Sequence, residues 1–150
     1  MPLHVGDSAP DFKLDSTSGQ SLSLSEDLKD QACLLFFYPK DFTPGCTKEV
    51  CDFRDSFETF KGLEIPVFGI STDSVTTHLK FKARHQLQFE LLADSSGKVS
   101  KQYDAIIPVI NLSRRVTYLL DKQHKIAAVY SDMFGAKNHI KTAIKSVQDI

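Results

Sequence analysis

Ala32-Cys33-Leu34-Leu35-Phe36-Phe37-Tyr38 is a run of seven consecutive apolar residues closed by Pro39, and it restricts the fold more than any other stretch. It leaves no polar position for a solvated face, so it reads as a strand buried on both sides, in the middle of a sheet that needs cover above and below. It is far short of the roughly 18 apolar residues that a membrane-spanning helix requires, so the chain is expected to be soluble. At 150 residues and 41% hydrophobic, a chain of this kind buries roughly 70% of its unfolded surface and builds a core without metal or disulfide staples. Nothing divides it, with no repeat, low-complexity tract or Pro/Gly/Ser-rich linker, and residues 1–150 read as one domain.

The flanking patterns extend that strand into an architecture. Phe12, Leu14, Leu22 and Leu24 alternate with polar residues around Asp15-Ser16-Thr17-Ser18-Gly19, which predicts an N-terminal β-hairpin. Val50, Phe53, Phe57 and Phe60 recur at helical spacing between Thr47 and Phe60, with Gly62 as the expected capping glycine. Val67 to Ile70 reads as a second buried strand, and Ser71-Thr72-Asp73-Ser74 supplies N-cap chemistry for a helix to about His85. Val116–Leu120 and Ile126–Tyr130 flank a polar turn and predict a second hairpin, and Ile140, Ile144 and Val147 mark a closing amphipathic helix. Strands alternating with helices, plus two hairpins, predict an α/β fold with a central mixed β-sheet flanked by helices.

Charge and cysteine content narrow the function classes. Eighteen Lys+Arg against nineteen Asp+Glu give a net charge of −1 with no basic stretch, which argues against a nucleic-acid partner. The first residues show no charged-then-apolar leader pattern, and a cytoplasmic location is the expectation. In that reducing compartment three cysteines point to catalysis or metal rather than to a staple.

The informative segment is Tyr38-Pro39-Lys40-Asp41-Phe42-Thr43-Pro44-Gly45-Cys46-Thr47-Lys48-Glu49-Val50-Cys51, between the buried strand and the amphipathic helix. Reactive groups of open α/β sheets gather outside the carboxyl ends of the strands, where helix N-termini present free N–H groups. A cysteine in that first turn has its thiolate stabilised by those groups and by the helix dipole. Pro39 and Pro44 stiffen the loop, and Gly45 permits close backbone approach. Cys51 follows five residues later; on a regular helix the two Cα atoms lie about 8.6 Å apart, beyond the roughly 7 Å that a disulfide tolerates. Pairing them requires the first helical turns to unwind, which suits a cycle with two conformations.

TPGCTKEVC following FFYPKDF resembles the active-site segment of the peroxiredoxins, in particular the bacterioferritin comigratory protein or peroxiredoxin Q type. The signature PxxxTxxC appears as Pro39, Thr43 and Cys46. Weaker pieces extend the likeness to most of the chain: the Val5–Phe12 opening, Gly69–Ser74, Leu91–Asp94 and Arg115–Asp121. The resemblance implies a thioredoxin-like fold and a peroxidase that reduces hydrogen peroxide and organic hydroperoxides without cofactor or metal. It implies that Cys46 is the peroxidatic cysteine, which becomes a sulfenic acid, and that Cys51 resolves it as an intramolecular disulfide. Thr43, Gly45 and Arg115 would receive the peroxide, with Arg115, in preference to Arg114, steadying the thiolate and the departing oxygen. Pro39 would shield the site, and Glu49 would orient the network around it. A thioredoxin-like or glutaredoxin-like partner would reduce the disulfide, and a monomer suffices because the resolving cysteine is in the same chain. One departure is that Asp121-Lys122-Gln123-His124-Lys125 lacks the glycine usual in this turn of the subfamily, so that hairpin is expected to be built differently. The apolar segment Ala105–Ile110 would cover the site or form an interface.

Other readings compete. Zinc on the cysteine pair lacks both the usual spacing and a second ligand pair; a general thiol-disulfide oxidoreductase would place its cysteines two residues apart; a redox switch would use the same pair without turnover. Cys33 reads as a core residue, His4, His78, His85, His124 and His139 as solvated surface, and Arg54 as a helix-face charge paired with Asp52 or Asp55, with a lesser possibility of electrostatic help to the thiolate.

Overall fold

The computed structural model describes residues 3–107, 109–130 and 144–147. Elements follow in the order β1 (Lys13–Ser16), β2 (Ser21–Ser23), α1 (Leu24–Asp27), β3 (Cys33–Phe37), α2 (Pro44–Asp55), α3 (Phe57–Gly62), β4 (Val67–Ser71) and α4 (Val75–His85). After these come β5 (Glu90–Ala93), α5 (Lys98–Gln102), β6 (Ile106–Ile107), β7 (Leu112–Ser113), β8 (Val116–Leu120) and β9 (Ile126–Tyr130). Seven strands form one mixed sheet in the order β2-β1-β5-β4-β3-β8-β9, and β6 and β7 make a separate ribbon. β3, β4 and β5 run parallel, while β8 returns antiparallel to β3 with Phe37 opposite Val116.

The apolar run sits where its composition requires. β3 lies between β4 and β8 and is buried along its whole length, and its side chains divide by alternation. Leu34 and Phe36 join Val50, Phe53, Phe60 and Phe81 from α2, α3 and α4. Cys33, Leu35 and Phe37 join Leu24 and Val99 from α1 and α5, with Phe12 and Tyr103 from the connecting segments. The Phe36 ring stacks on Phe53 with centroids 4.3 Å apart and planes inclined by 8°, which fastens α2 to the strand that precedes it. Gly69 on β4 makes room for that ring: a Cβ there would come within 2.7 Å of Phe36 Cζ and 2.8 Å of Leu91 Cδ2.

Some local expectations are corrected. The helix expected to run to Phe60 is interrupted at Ser56, whose N–H turns back to the carbonyls of Asp52 and Phe53. Gly62 is the last residue of α3 rather than its left-handed cap, and the positive φ falls on Glu64 at 60°. In the β8–β9 turn the position expected of glycine is taken by His124 at φ 59°. Asp121 holds that turn by accepting from the amides of Gln123 and Lys125. His124 is not solvated surface, since its Nε2 lies 2.7 Å from the Leu28 carbonyl oxygen. His78 is fully buried, and His85 rests edge-on against Phe81. The expected closing helix lies mainly outside the described residues, of which 144–147 are helical; His139 lies outside them as well. Among the described residues no helix is long and apolar enough to cross a membrane.

Candidate active site

β3 ends at Phe37, and the chain turns through Tyr38–Thr43 into α2, which puts the start of α2 at the carboxyl end of the central strand. Thr43 is the N-cap residue and Pro44 opens the helix, a position where proline's missing N–H costs nothing and its fixed φ suits the first turn. The Thr47 amide closes that turn on the Thr43 carbonyl at 2.8 Å. Cys46 therefore falls in the first turn and is 2% exposed, beneath a short exposed stretch, Pro44-Gly45.

Arg115 reaches this turn from the residue before β8. Its Nη2 donates to Cys46 Sγ at 3.5 Å, while Nη1 donates to Glu49 Oε2 at 2.6 Å and to the Gly45 carbonyl at 3.3 Å. The guanidinium is thus clamped in one orientation by a carboxylate one turn along α2 and presents a second N–H to the sulfur. Gly45 lies beside the guanidinium, and a Cβ there would stand 3.4 Å from Nη2, at ordinary contact distance. Arg114 points elsewhere and donates through Nε to the Ile106 carbonyl. The Thr43 hydroxyl donates to the Lys40 carbonyl at 2.9 Å, which leaves its oxygen able to accept. Pro39 is partly buried at the head of the loop.

Glu49 is the most strained electrostatic element. It is 1% exposed, and among the described residues its Oε1 has no hydrogen-bond partner. Burial pushes its carboxyl from the ordinary 4.5 up to about 7 despite the opposing charge of Arg115. Between those two values the folded protein keeps a proton that the unfolded chain releases. This group's contribution to stability is therefore full below about pH 4.5 and declines as pH rises toward 7. Relative to Glu49→Gln, the wild type is expected to lose on the order of 3 kcal/mol across that window. Denaturant titrations of both proteins at a series of pH values measure this, and a stability difference that stays constant with pH overturns it.

Cys51 is part-buried on α2, and all three cysteines are free thiols. Burial pushes the Cys51 thiol up, with Arg54 opposing. Arg54 itself pairs with Asp55 at 3.0 Å and donates to the His85 carbonyl. Cys33 is sealed within β3, and burial drives its thiol up to about 12. Asp41, given no role from the sequence, and His78, expected on the solvated surface, lie buried behind the loop 2.6 Å apart, Oδ2 to Nδ1. The available signal was weak: His78 stands three residues before Phe81 on one helical stripe.

The AhpC/TSA family matches residues 5–129. The chain is 37% identical to peroxiredoxin Bcp of Bacillus subtilis over 156 aligned positions, covering all of this chain and 98% of that protein. It is 39% identical to the chloroplastic peroxiredoxin Q of Oryza sativa subsp. japonica, covering 97% of this chain and 67% of that one. Among solved structures, peroxidoxin BcpB from Mycobacterium tuberculosis superposes with a TM-score of 0.90 at 35% identity, over 97% of each chain. With a thioredoxin-like mixed sheet, a helix-start cysteine and these relatives, the chain belongs to the AhpC/TSA family as a peroxiredoxin of the Bcp and peroxiredoxin Q type, a thiol-dependent peroxidase.

Proposed function

We propose that Cys46 is the peroxidatic cysteine, Cys51 the resolving cysteine, and Thr43, Gly45, Arg115 and Pro39 the surrounding machinery. The observation that carries this reading is the Arg115 guanidinium, locked by Glu49 and donating to a cysteine sulfur at a helix start. The Cys46 thiolate attacks the terminal oxygen of the hydroperoxide, an S–O bond forms as the O–O bond breaks, and sulfur loses two electrons to become a sulfenic acid. The departing oxygen leaves with the bond's electron pair and is protonated to water or alcohol. Arg115 offers N–H groups to the thiolate and to the charge developing on that oxygen. Thr43 accepts the peroxide's hydrogen and so aims its terminal oxygen at sulfur. The Gly45 backbone lets it approach, and Pro39 limits water.

The Cys51 thiolate then attacks the sulfenic sulfur, an S–S bond forms, and hydroxide leaves to be protonated as water. A thioredoxin-like or glutaredoxin-like dithiol returns both thiols by exchange. This reading treats the chain as one domain, acting as a monomer in the cytoplasm, where a dithiol reductant is at hand. The test is to mix reduced protein with one equivalent of hydrogen peroxide, quench within seconds and map the cysteines by mass spectrometry. A Cys46–Cys51 disulfide with Cys33 free is expected. Oxidation spread over all three thiols, or none, overturns the assignment.

A further inference from the structure

Behind the active-site loop lies a buried polar cluster that the chemistry above does not use. Asp41 is 2% exposed and tied at three points. Its Oδ1 accepts from the Tyr38 hydroxyl at 2.5 Å, its Oδ2 lies 2.6 Å from His78 Nδ1, and its amide donates to Asp73 Oδ2 at 2.8 Å. His78 is held from the other side, with Nε2 at 3.1 Å from the Leu92 carbonyl and 3.5 Å from Ser71 Oγ. A carbonyl only accepts, so Nε2 is the donor toward Leu92, while Nδ1 faces the Asp41 carboxyl. The Ser71 hydroxyl completes the set by donating to Asp73 at 2.6 Å. Asp41, Asp73 and His78 bring potential ligand atoms within 4.8 Å of one another, but these atoms already satisfy each other and backbone groups, which makes the cluster a strap rather than a cation site.

What it straps is specific. Asp41 sits five residues before Cys46, and the chain between them changes character abruptly. Phe42 is 51% exposed and held at φ 65°, a conformation that a side-chain-bearing residue keeps only where its surroundings over-determine it. Pro44 and Gly45 are exposed. The α4 face that carries His78 also carries Phe81, against which Phe42 packs edge-on at 5.0 Å, and His85, at 6.5 Å from the same ring. One helical stripe on α4 thus grips the loop up to Phe42 and leaves the next residues free to turn.

We infer that Asp41 and His78 are positioning residues for the peroxidatic turn, and that they form the fixed end of the hinge about which α2 unwinds when Cys46 swings to Cys51. This rests on the assignment of Cys46 and Cys51 made above. The strap belongs to both redox states, and the pivot lies at 43–45. Held in this way, Thr43 and the first turn of α2 return to the same peroxide-competent geometry after every reduction.

Two measurements test it. Hydrogen exchange followed by NMR in the dithiol and disulfide forms is expected to show the Asp41 amide protected in both, while the Thr47 amide loses protection on oxidation. Loss of Asp41 protection in the disulfide form places the pivot behind the strap and overturns the inference. Separately, His78→Leu is expected to slow Cys46 oxidation by roughly tenfold to a hundredfold, since misplacement of reacting groups by an ångström has effects of that size. Cys46–Cys51 closure is expected to stay within about threefold, and His78→Asn, which can still donate to Asp41, to recover most of the peroxide step. An unchanged peroxide step, or equal slowing of both steps, overturns the inference. If His78→Leu does not fold, the exchange comparison on the wild type still decides. Should wild-type Cys46 escape oxidation altogether, the active-site assignment fails and the hinge inference falls with it, an outcome distinct from those above.

Discussion

Cys46→Ser is expected to abolish peroxide turnover, lowering the second-order rate with hydrogen peroxide on the order of ten-thousandfold or more, as removal of a nucleophile does. Serine is nearly isosteric, and Pro44 and the Thr43–Thr47 turn do not depend on sulfur, so α2 is expected to form as before. What disappears is the sulfur that Arg115 holds and that attacks the peroxide. The remaining thiols are poor substitutes. Cys33 lies at 0% exposure within β3 with its thiol driven up to about 12, and Cys51 is more than a turn away along α2. Stopped-flow peroxide consumption with circular dichroism as a check on folding makes the measurement. A variant within about tenfold of wild type places the nucleophile elsewhere.

The parts of this site that were legible in the sequence are those that local chemistry writes locally. Pro39, Thr43, Cys46 and Cys51 share fourteen consecutive positions with the end of the apolar strand, and the run Ala32–Tyr38 announces a central strand because no other environment tolerates it. The hairpin at β8–β9 was legible by alternation, and its turn, lacking the glycine usual in the subfamily, puts His124 in the left-handed region, with the Asp121 side chain supplying two hydrogen bonds that hold it. Five short elements escaped, α1, β5, α5, β6 and β7. β5 exists because β4 and β1 offer it edges on both sides, which is a tertiary cause. His78 and His124 were misread for the same reason. A lone imidazole looks solvated in sequence, whereas His78 is buried against a carboxylate from a segment 37 residues earlier.

Cys51→Ser is expected to leave the first step intact and stop the cycle after it. One equivalent of peroxide should be consumed at the wild-type rate, with Cys46 trapped as sulfenic acid, while turnover with a thioredoxin-like dithiol falls at least about a hundredfold. The reason lies in the helix. On an intact α2 the two cysteines stand about 8.6 Å apart at Cα, and the disulfide limit is about 7 Å, so Cys51 takes no part in peroxide attack on the folded site. Its own thiol is pushed up by burial, with Asp55 and Asp52 adding to the effect, so in the folded state it is a poor nucleophile. Unwinding the first turns removes part of that burial as it closes the distance, and a single conformational event brings the resolving sulfur into range and frees its thiolate. Wild-type closure should consequently quicken as pH rises toward the thiol's ordinary range, whereas peroxide attack in Cys51→Ser should show no such dependence on the missing group. Rapid-quench mass spectrometry with a sulfenic-acid trap follows both steps. A Cys51→Ser protein that still forms an intramolecular disulfide, or that turns over at the wild-type rate with the same reductant, would assign resolution to a different group.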